Sequence, residues 1–315
     1  MAHLFADSGA RLVLLEIAEQ SLFDLHTGLC EKHHVHRCTP VLGSVTDRAL
    51  LTALFDEHRP DLVLHAAALK HVPLMEQNPF AAVATNALGT LHLVEAAAAH
   101  RTPRLILIST DKAVAPHSIM GASKRIAELI TFAHNFTALR LVNVLGSPSS
   151  VGPIFAEQIA RGGPVTVTHP DARRYFLTLD EVAALLSEAI DARASGLLIP
   201  NPGEPLRIAD LASRMIETLD PNSAPEILFT TPRPGDKLDE SLISATEHIS
   251  TRATPSLHPV TTPDTPNLDA TIRVLEAALA TRDLSDLLRA VQSLVPDYEP
   301  STLLRASLHE PATAQ

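Results

Sequence analysis

The 315-residue chain has no tryptophan, two tyrosines and two cysteines. Aromatic residues make up 3% of the chain and hydrophobic residues 45%, so its core must be aliphatic. Cys30 and Cys38 do not form a paired-ligand spacing, which favours a reducing cytoplasm. No stretch approaches the roughly 20 apolar residues of a membrane-spanning helix, and the N-terminus lacks a basic, apolar signal pattern. A membrane span is therefore not expected. Positive charge is scarce as well: a net charge of −11 argues against a nucleic-acid or anionic-membrane surface. A chain of this length buries one large core, or a core with a smaller lobe.

One further absence concerns glycine. Residues 11–15, RLVLL, read as a strand with Glu16 at its end. In a dinucleotide-binding fold an acidic residue at that point binds the adenosine ribose hydroxyls, and a solvated strand-end carboxylate is the alternative. Such a fold also needs a first strand and a glycine-rich turn whose N–H groups approach the pyrophosphate. No such turn precedes Glu16 in this sequence.

What is present is organised around residues 104–127, RLILISTDKAVAPHSIMGASKRIA. Leu105 to Ile108 is a short β-branched run of the kind that forms a buried parallel strand. It breaks into Ser109, Thr110, Asp111 and Lys112, polar groups at a strand's carboxyl end, where open α/β sheets meet their ligands. A helix carrying Lys124 on its early turns follows.

Helices are also predicted over 19–33, 180–192, 268–281 and 284–294, with Asp180 as the N-cap of the second. Residues 1–8 are read as a helix tail stopped by Gly9. Strands are predicted over 35–42 and 61–68, the latter ending in Ala66, Ala67 and Ala68, small residues that let a cofactor approach the backbone. The Pro- and Thr-rich residues 251–266 read as a linker and those beyond 302 as a mobile tail. His33, His34, His36 and Cys38 suggest a metal site, but their alternation along a helix exit and strand argues against one, and no metal is expected.

STDKA followed by MGASK resembles the extended, nucleotide-sugar-modifying branch of the short-chain dehydrogenase/reductase superfamily. More narrowly the chain is similar to the polysaccharide-biosynthesis nucleotide-sugar dehydratases, the UDP-N-acetylglucosamine 4,6-dehydratase group. The runs ALKHVPLME (68–76), RLVNVLGS (140–147) and RPGDKL (233–238) extend the resemblance to roughly residues 10–300. Most of the superfamily carries Tyr-x-x-x-Lys in the active site; here Met120 takes the tyrosine position, with Lys124 four residues on.

The resemblance implies a Rossmann-like, doubly wound parallel α/β sheet that lacks its first strand and glycine-rich loop. It implies a truncated NAD-binding core over 1–145, a substrate lobe interleaved with the last core elements over 146–300, and a flexible tail over 301–315. The implied cofactor is NAD, favoured over NADP, and the missing turn puts the affinity for it in question. Cofactor contacts fall to Glu16, Ser44, Val45, Ala66, Ala67, Ala68, Asn86, Ser109, Lys124 and Asn143. Contacts to a UDP-sugar fall to Lys70, His71, Asn143, Arg174 and Arg233, and a homo-oligomer is the other partner admitted.

The implied reaction removes water across C5 and C6 of a hexose after transient oxidation at C4, with the nicotinamide recycled. Asp111 is then the acid for the C6 hydroxyl, Lys112 the base at C5, Thr110 the donor to the C4 oxygen, and Lys124 the ribose contact. A 4-epimerase and a non-catalytic remnant of the fold are the competing readings.

Overall fold

Apolar runs alternating with amphipathic segments fold into a layered α/β chain. The structure, a computed structural model, describes residues 2–5, 8–33, 37–147, 150–192, 195–220, 222, 225–250, 256–263 and 268–308. After a short 3₁₀ turn (Ala2–Phe5) come β1 (Leu12–Glu16), α1 (Glu19–His33), β2 (Cys38–Leu42), α2 (Arg48–His58) and β3 (Leu62–His65). Then follow α3 (Val72–Gln77) and a π-helical turn (Val83–Leu88) leading into α4 (Gly89–Ala99). Next are β4 (Arg104–Thr110), α5 (Ile119–Ala133), β5 (Thr137–Leu141), α6 (Val151–Ala160), α7 (Leu179–Asp191), β6 (Gly196–Pro200) and α8 (Ile208–Leu219). The chain closes with β7 (His248–Ile249), β8 (Leu257–Thr261), α9 (Leu268–Thr281), α10 (Leu284–Leu294) and α11 (Thr302–Ser307).

The main sheet has the order β7-β8-β6-β5-β4-β3. Strands β3 to β6 run parallel, and β8 lies antiparallel to β6. β4 is buried on both faces, as its continuous apolar run requires. Leu105 joins the aliphatic cluster formed with α3, α4 and α5, and Ile106 packs with Leu185 and Leu186 of α7. α9, α10 and α11 lie over the first of these layers through Leu275, Leu287, Val291 and Leu304. Phe155, Ile159, Val165, Val167, Ala212 and Ile216 form a separate, smaller cluster between α6 and α8.

β1 and β2 form a parallel pair of their own. Among the described residues that pair is not hydrogen-bonded to β3, which is the last strand of the main sheet. Yet Leu15 of β1 and Val63 of β3 pack on one common cluster. The sheet is thus divided between β1 and β3 among the described residues.

Four expectations need correction. The cap of α7 is Thr178, not Asp180: its hydroxyl accepts the Glu181 N–H while the Glu181 carboxylate accepts the Thr178 N–H, a reciprocal capping box. The linker assigned to 251–266 contains β8, whose Leu257 and Val260 are buried against β6. The tail predicted beyond 302 begins as α11, anchored by Leu304. In the opening segment the described residues Ala2–Phe5 form a 3₁₀ turn and not an α-helix. His34 and His36 lie outside the described residues.

Candidate active site

The site gathers at the C-terminal end of β4. The strand runs two residues further than its apolar pattern, because the Ser109 hydroxyl finds a buried partner in Glu128 of α5 at 2.6 Å. Thr110 ends the strand and caps the turn Asp111–Ala113, its hydroxyl accepting the Lys112 N–H and donating to Asp111 Oδ1 at 2.9 Å. The tight turn places Asp111 and Lys112 side by side.

Asp111 is fully buried. Its Oδ1 also accepts from Lys112 Nζ at 2.9 Å, while Oδ2 has no hydrogen-bond partner. An unpartnered carboxylate oxygen in a dry site is costly, so this atom is ready for an incoming donor. Lys112 Nζ further approaches Asn143 Oδ1 at 3.4 Å and Glu240 Oε1 at 3.9 Å. Asn143 is steadied by donating to the Tyr175 carbonyl. Burial works to lower the Lys112 pKa, and the Asp111 and Glu240 carboxylates more than reverse it, holding the group above the ordinary lysine value. Lys112 therefore rests as an ammonium.

α5 supplies the second lysine. Its N-terminus is fixed by Ser118, whose hydroxyl accepts the Gly121 N–H, and by Glu76 of α3, which accepts the Ile119 N–H at 2.7 Å. Lys124, one turn on, donates to the Ile108 carbonyl at 2.6 Å, and burial depresses its pKa to about 8. Met120 is buried beside it.

Gly121 lies where α5 crosses the 111–113 turn, and a Cβ there would collide with the Lys112 carbonyl oxygen. Gly121→Ala is expected to cost about 1–3 kcal/mol in a denaturant titration, through overpacking, and to displace the Lys112 turn.

The remaining sequence-nominated residues divide into three groups. Thr110, Asp111, Lys112 and Asn143 converge within one set of contacts, and Arg174 reaches the same cleft, 3.9 Å from Glu240. Arg174 spends its guanidinium on the Arg173, Lys237 and Leu238 carbonyls, so it shapes the loop that closes the cleft. Arg233 stands outside, exposed and paired with Asp236 at 2.9 Å. Lys70 and His71 are exposed on the loop entering α3.

At the tips of β1 and β3, Ala66 and Ala67 are exposed and Ala68 half-buried. Glu16 Oε1 accepts from Ile17 and Ala18 N–H, both at 2.9 Å. Ser44 turns its hydroxyl onto Thr46, and Val45 packs against α4 at Gly89. Asn86, inside the π-helical turn, exchanges two hydrogen bonds with the Leu69 backbone and donates to Ser123. Its amide thus braces the β3 exit, and Ser109 likewise faces the interior. The groups that would hold a nicotinamide dinucleotide here are the Ala66–Ala68 backbone, Lys124 and Glu16, whose Oε1 already accepts the Ile17 and Ala18 N–H groups. No glycine-rich turn for the pyrophosphate occurs among the described residues before β1.

Sequence reasoning missed two groups. Glu240 and Lys237 reach the cleft from a loop more than 100 positions beyond Lys112; Lys237 lies within the RPGDKL run, and nothing local marks Glu240. Arg140, Glu128, Glu247 and Arg125 form a buried ionic cluster behind Ser109. Arg140 donates to both carboxylates at 2.7–3.1 Å, and Arg125 reaches both as well. Here a signal existed: an arginine inside the apolar strand TALRL demands buried partners.

The family model described as polysaccharide biosynthesis protein matches residues 1–262. The capsular polysaccharide biosynthesis protein CapD of Staphylococcus aureus is 41% identical over 249 residues, 75% of this chain and 41% of that protein. The chain thus spans less than half of that relative. Among solved structures, Pen from Bacillus thuringiensis aligns over 78% of both chains with a TM-score of 0.71 and 27% identity. The Bordetella bronchiseptica enzyme WbmH, in complex with NAD+, aligns over 77% of this chain and 83% of its own, with a TM-score of 0.63 and 25% identity.

Proposed function

Because the chain belongs to the polysaccharide biosynthesis protein family, we propose that it is a nucleotide-sugar 4,6-dehydratase acting on a UDP-N-acetylhexosamine in surface-glycan biosynthesis. The observation that carries the reading is the buried Asp111–Lys112 pair, joined at 2.9 Å with one carboxylate oxygen unpartnered. Adjacent acid and base suit elimination, whereas an epimerase needs no proton exchange at C5 or C6. Support for the cofactor comes from the small residues at the β3 tip and from the NAD+ complex of the WbmH neighbour.

A bound nicotinamide supplies reversible hydride transfer, which makes C4 a ketone and so acidifies the C5 proton. The chain's own residues then manage two protons. In the resting pair Lys112 is an ammonium and Asp111 a carboxylate, neither of which suits its role. Moving one proton from Nζ to the carboxylate along their hydrogen bond turns the ion pair into a neutral amine and a carboxylic acid. The neutral amine takes the C5 proton, the acid protonates the departing C6 hydroxyl, and water leaves. Both groups end the elimination as they began, ammonium and carboxylate; reduction at C6 then draws a proton back to C5 from Lys112, and over the full cycle the proton released from O4 in the oxidation replaces it. Thr110, which holds Asp111 Oδ1, would border the C4 oxygen, and Lys124 would hold the nicotinamide ribose.

Incubating the purified chain with NAD and UDP-N-acetylglucosamine is expected to yield a 4-keto-6-deoxy product by NMR. Formation of a 4-epimer, with no loss of water, would replace this reading with the epimerase. If the sugar is unchanged while the chain binds both ligands, the remnant reading stands.

A further inference from the structure

The cleft contains a second carboxylate that this mechanism does not use. Glu240 is buried, its side chain only 3% exposed, in the loop between α8 and β7. Its carboxylate sits among three cations: Lys237 Nζ at 3.7 Å, Lys112 Nζ at 3.9 Å and Arg174 Nε at 3.9 Å. Oε2 has no hydrogen-bond partner, as with Asp111 Oδ2.

Lys112 therefore lies between two buried carboxylates, each with an oxygen to spare. Arg174 is committed to backbone carbonyls, and Lys237 donates to the Val114 carbonyl across the cleft. Lys237 nonetheless stays within ion-pair distance of Glu240, so Lys112 shares that carboxylate with it. Lys112 alone combines a half-open side chain with a place beside the reacting groups.

We propose that Glu240 is the second counter-ion of Lys112 and, as a positioning residue acting through it, governs the proton on which the Asp111–Lys112 pair depends. A charged Glu240 keeps the ammonium in place and favours its protonated form; a neutral Glu240 releases it toward the amine. The other groups facing Glu240 are Asp111 from the β4 turn, Arg174 from the 173–174 strand, and Lys237 from its own loop; His117 and Asp236 line the same cleft. Burial and Asp111 press Glu240 toward its neutral form while Lys112, Arg174 and Lys237 oppose them, with burial dominant. The Glu240 pKa is thus held above the ordinary carboxyl value. The catalytic consequence rests on the dehydratase reading, but the counter-ion role does not.

The test separates the two. Full-length chain is labelled with an amine-reactive reagent across a pH series, and modification of Lys112 is followed by peptide mass spectrometry without substrate. Glu240→Gln is expected to move the onset of Lys112 labelling down by about one pH unit or more, the size expected for loss of a nearby opposite charge. Glu240→Asp, which keeps the charge but withdraws it, should give a smaller shift in the same direction. Asp239→Asn, on the exposed neighbour, should give none. An unchanged Lys112 profile in Glu240→Gln overturns the proposal; if that variant does not fold, an unchanged profile in Glu240→Asp does so. Where the wild type also turns over UDP-N-acetylglucosamine, the acid limb of its kcat/KM profile should move down with the labelling. A labelling shift in a chain without dehydratase activity supports the counter-ion role and sinks the functional reading alone.

Discussion

Asp111→Asn is expected to lower turnover of UDP-N-acetylglucosamine by about 10²–10⁴-fold, the range for losing a positioned acid–base group. Asparagine is nearly the same size and still accepts from Lys112 through its carbonyl, so the fold and the turn should survive. What is lost is the ability to carry a proton from Lys112 to the C6 oxygen. Sugar-nucleotide binding, followed by calorimetry, should change much less than kcat, because Asp111 contributes to the proton path more than to the affinity. A variant that retained wild-type kcat would remove Asp111 from the chemistry and leave its burial unexplained.

Arg140→Leu carries the largest expected cost in stability. The arginine is fully buried and neutralises Glu128 and Glu247 together, and its NH1 also donates to the Leu242 carbonyl. Removing it leaves two buried carboxylates with Arg125 as their remaining cation, and breaking a buried pair in this way costs about 3–5 kcal/mol. A shift of the denaturant midpoint at pH 7 measures it. The same cluster fixes a pH dependence. Burial would raise the Glu128 pKa, but Arg140, Arg125 and Ser109 hold it down at about 2, against an ordinary value of 4.5. A carboxyl whose folded pKa is depressed contributes stability above its unfolded pKa and loses it as pH falls through the folded one. Wild-type stability should therefore decline between about pH 4.5 and pH 2, and Arg140→Leu should flatten that part of the curve.

Local chemistry decided how much was legible beforehand. The bounds of the 19–33, 268–281 and 284–294 helices agree with α1, α9 and α10, and the apolar periodicity is strongest in the last. β8 was hidden because Pro259 and the surrounding threonines read as linker; as the partner of β6 near the sheet margin, the strand tolerates its proline. Thr178 lost to Asp180 because a capping box is decided by side-chain reach between two residues, not by the identity of one. The family resemblance brought Asp111, Lys112 and Asn143 to attention, and the fold places both Asp111 and Asn143 against Lys112. Glu240 could not be found that way: its charge acquires meaning only once the 237–240 loop folds over the β4 turn.

The division between β1 and β3 has a mechanical consequence. Each strand is hydrogen-bonded along one side only among the described residues, so their tips lack one of the two restraints that β4 has. Ala66, Ala67 and Glu16 sit on those tips, opposite the rigidly clamped Asp111–Lys112 turn. The proposed reacting groups are thus carried by a strand paired on both sides, and the proposed cofactor floor by strands paired on one. A dinucleotide stretched across both tips would act as a splint, and part of its affinity would be consumed in stiffening the strands beneath it.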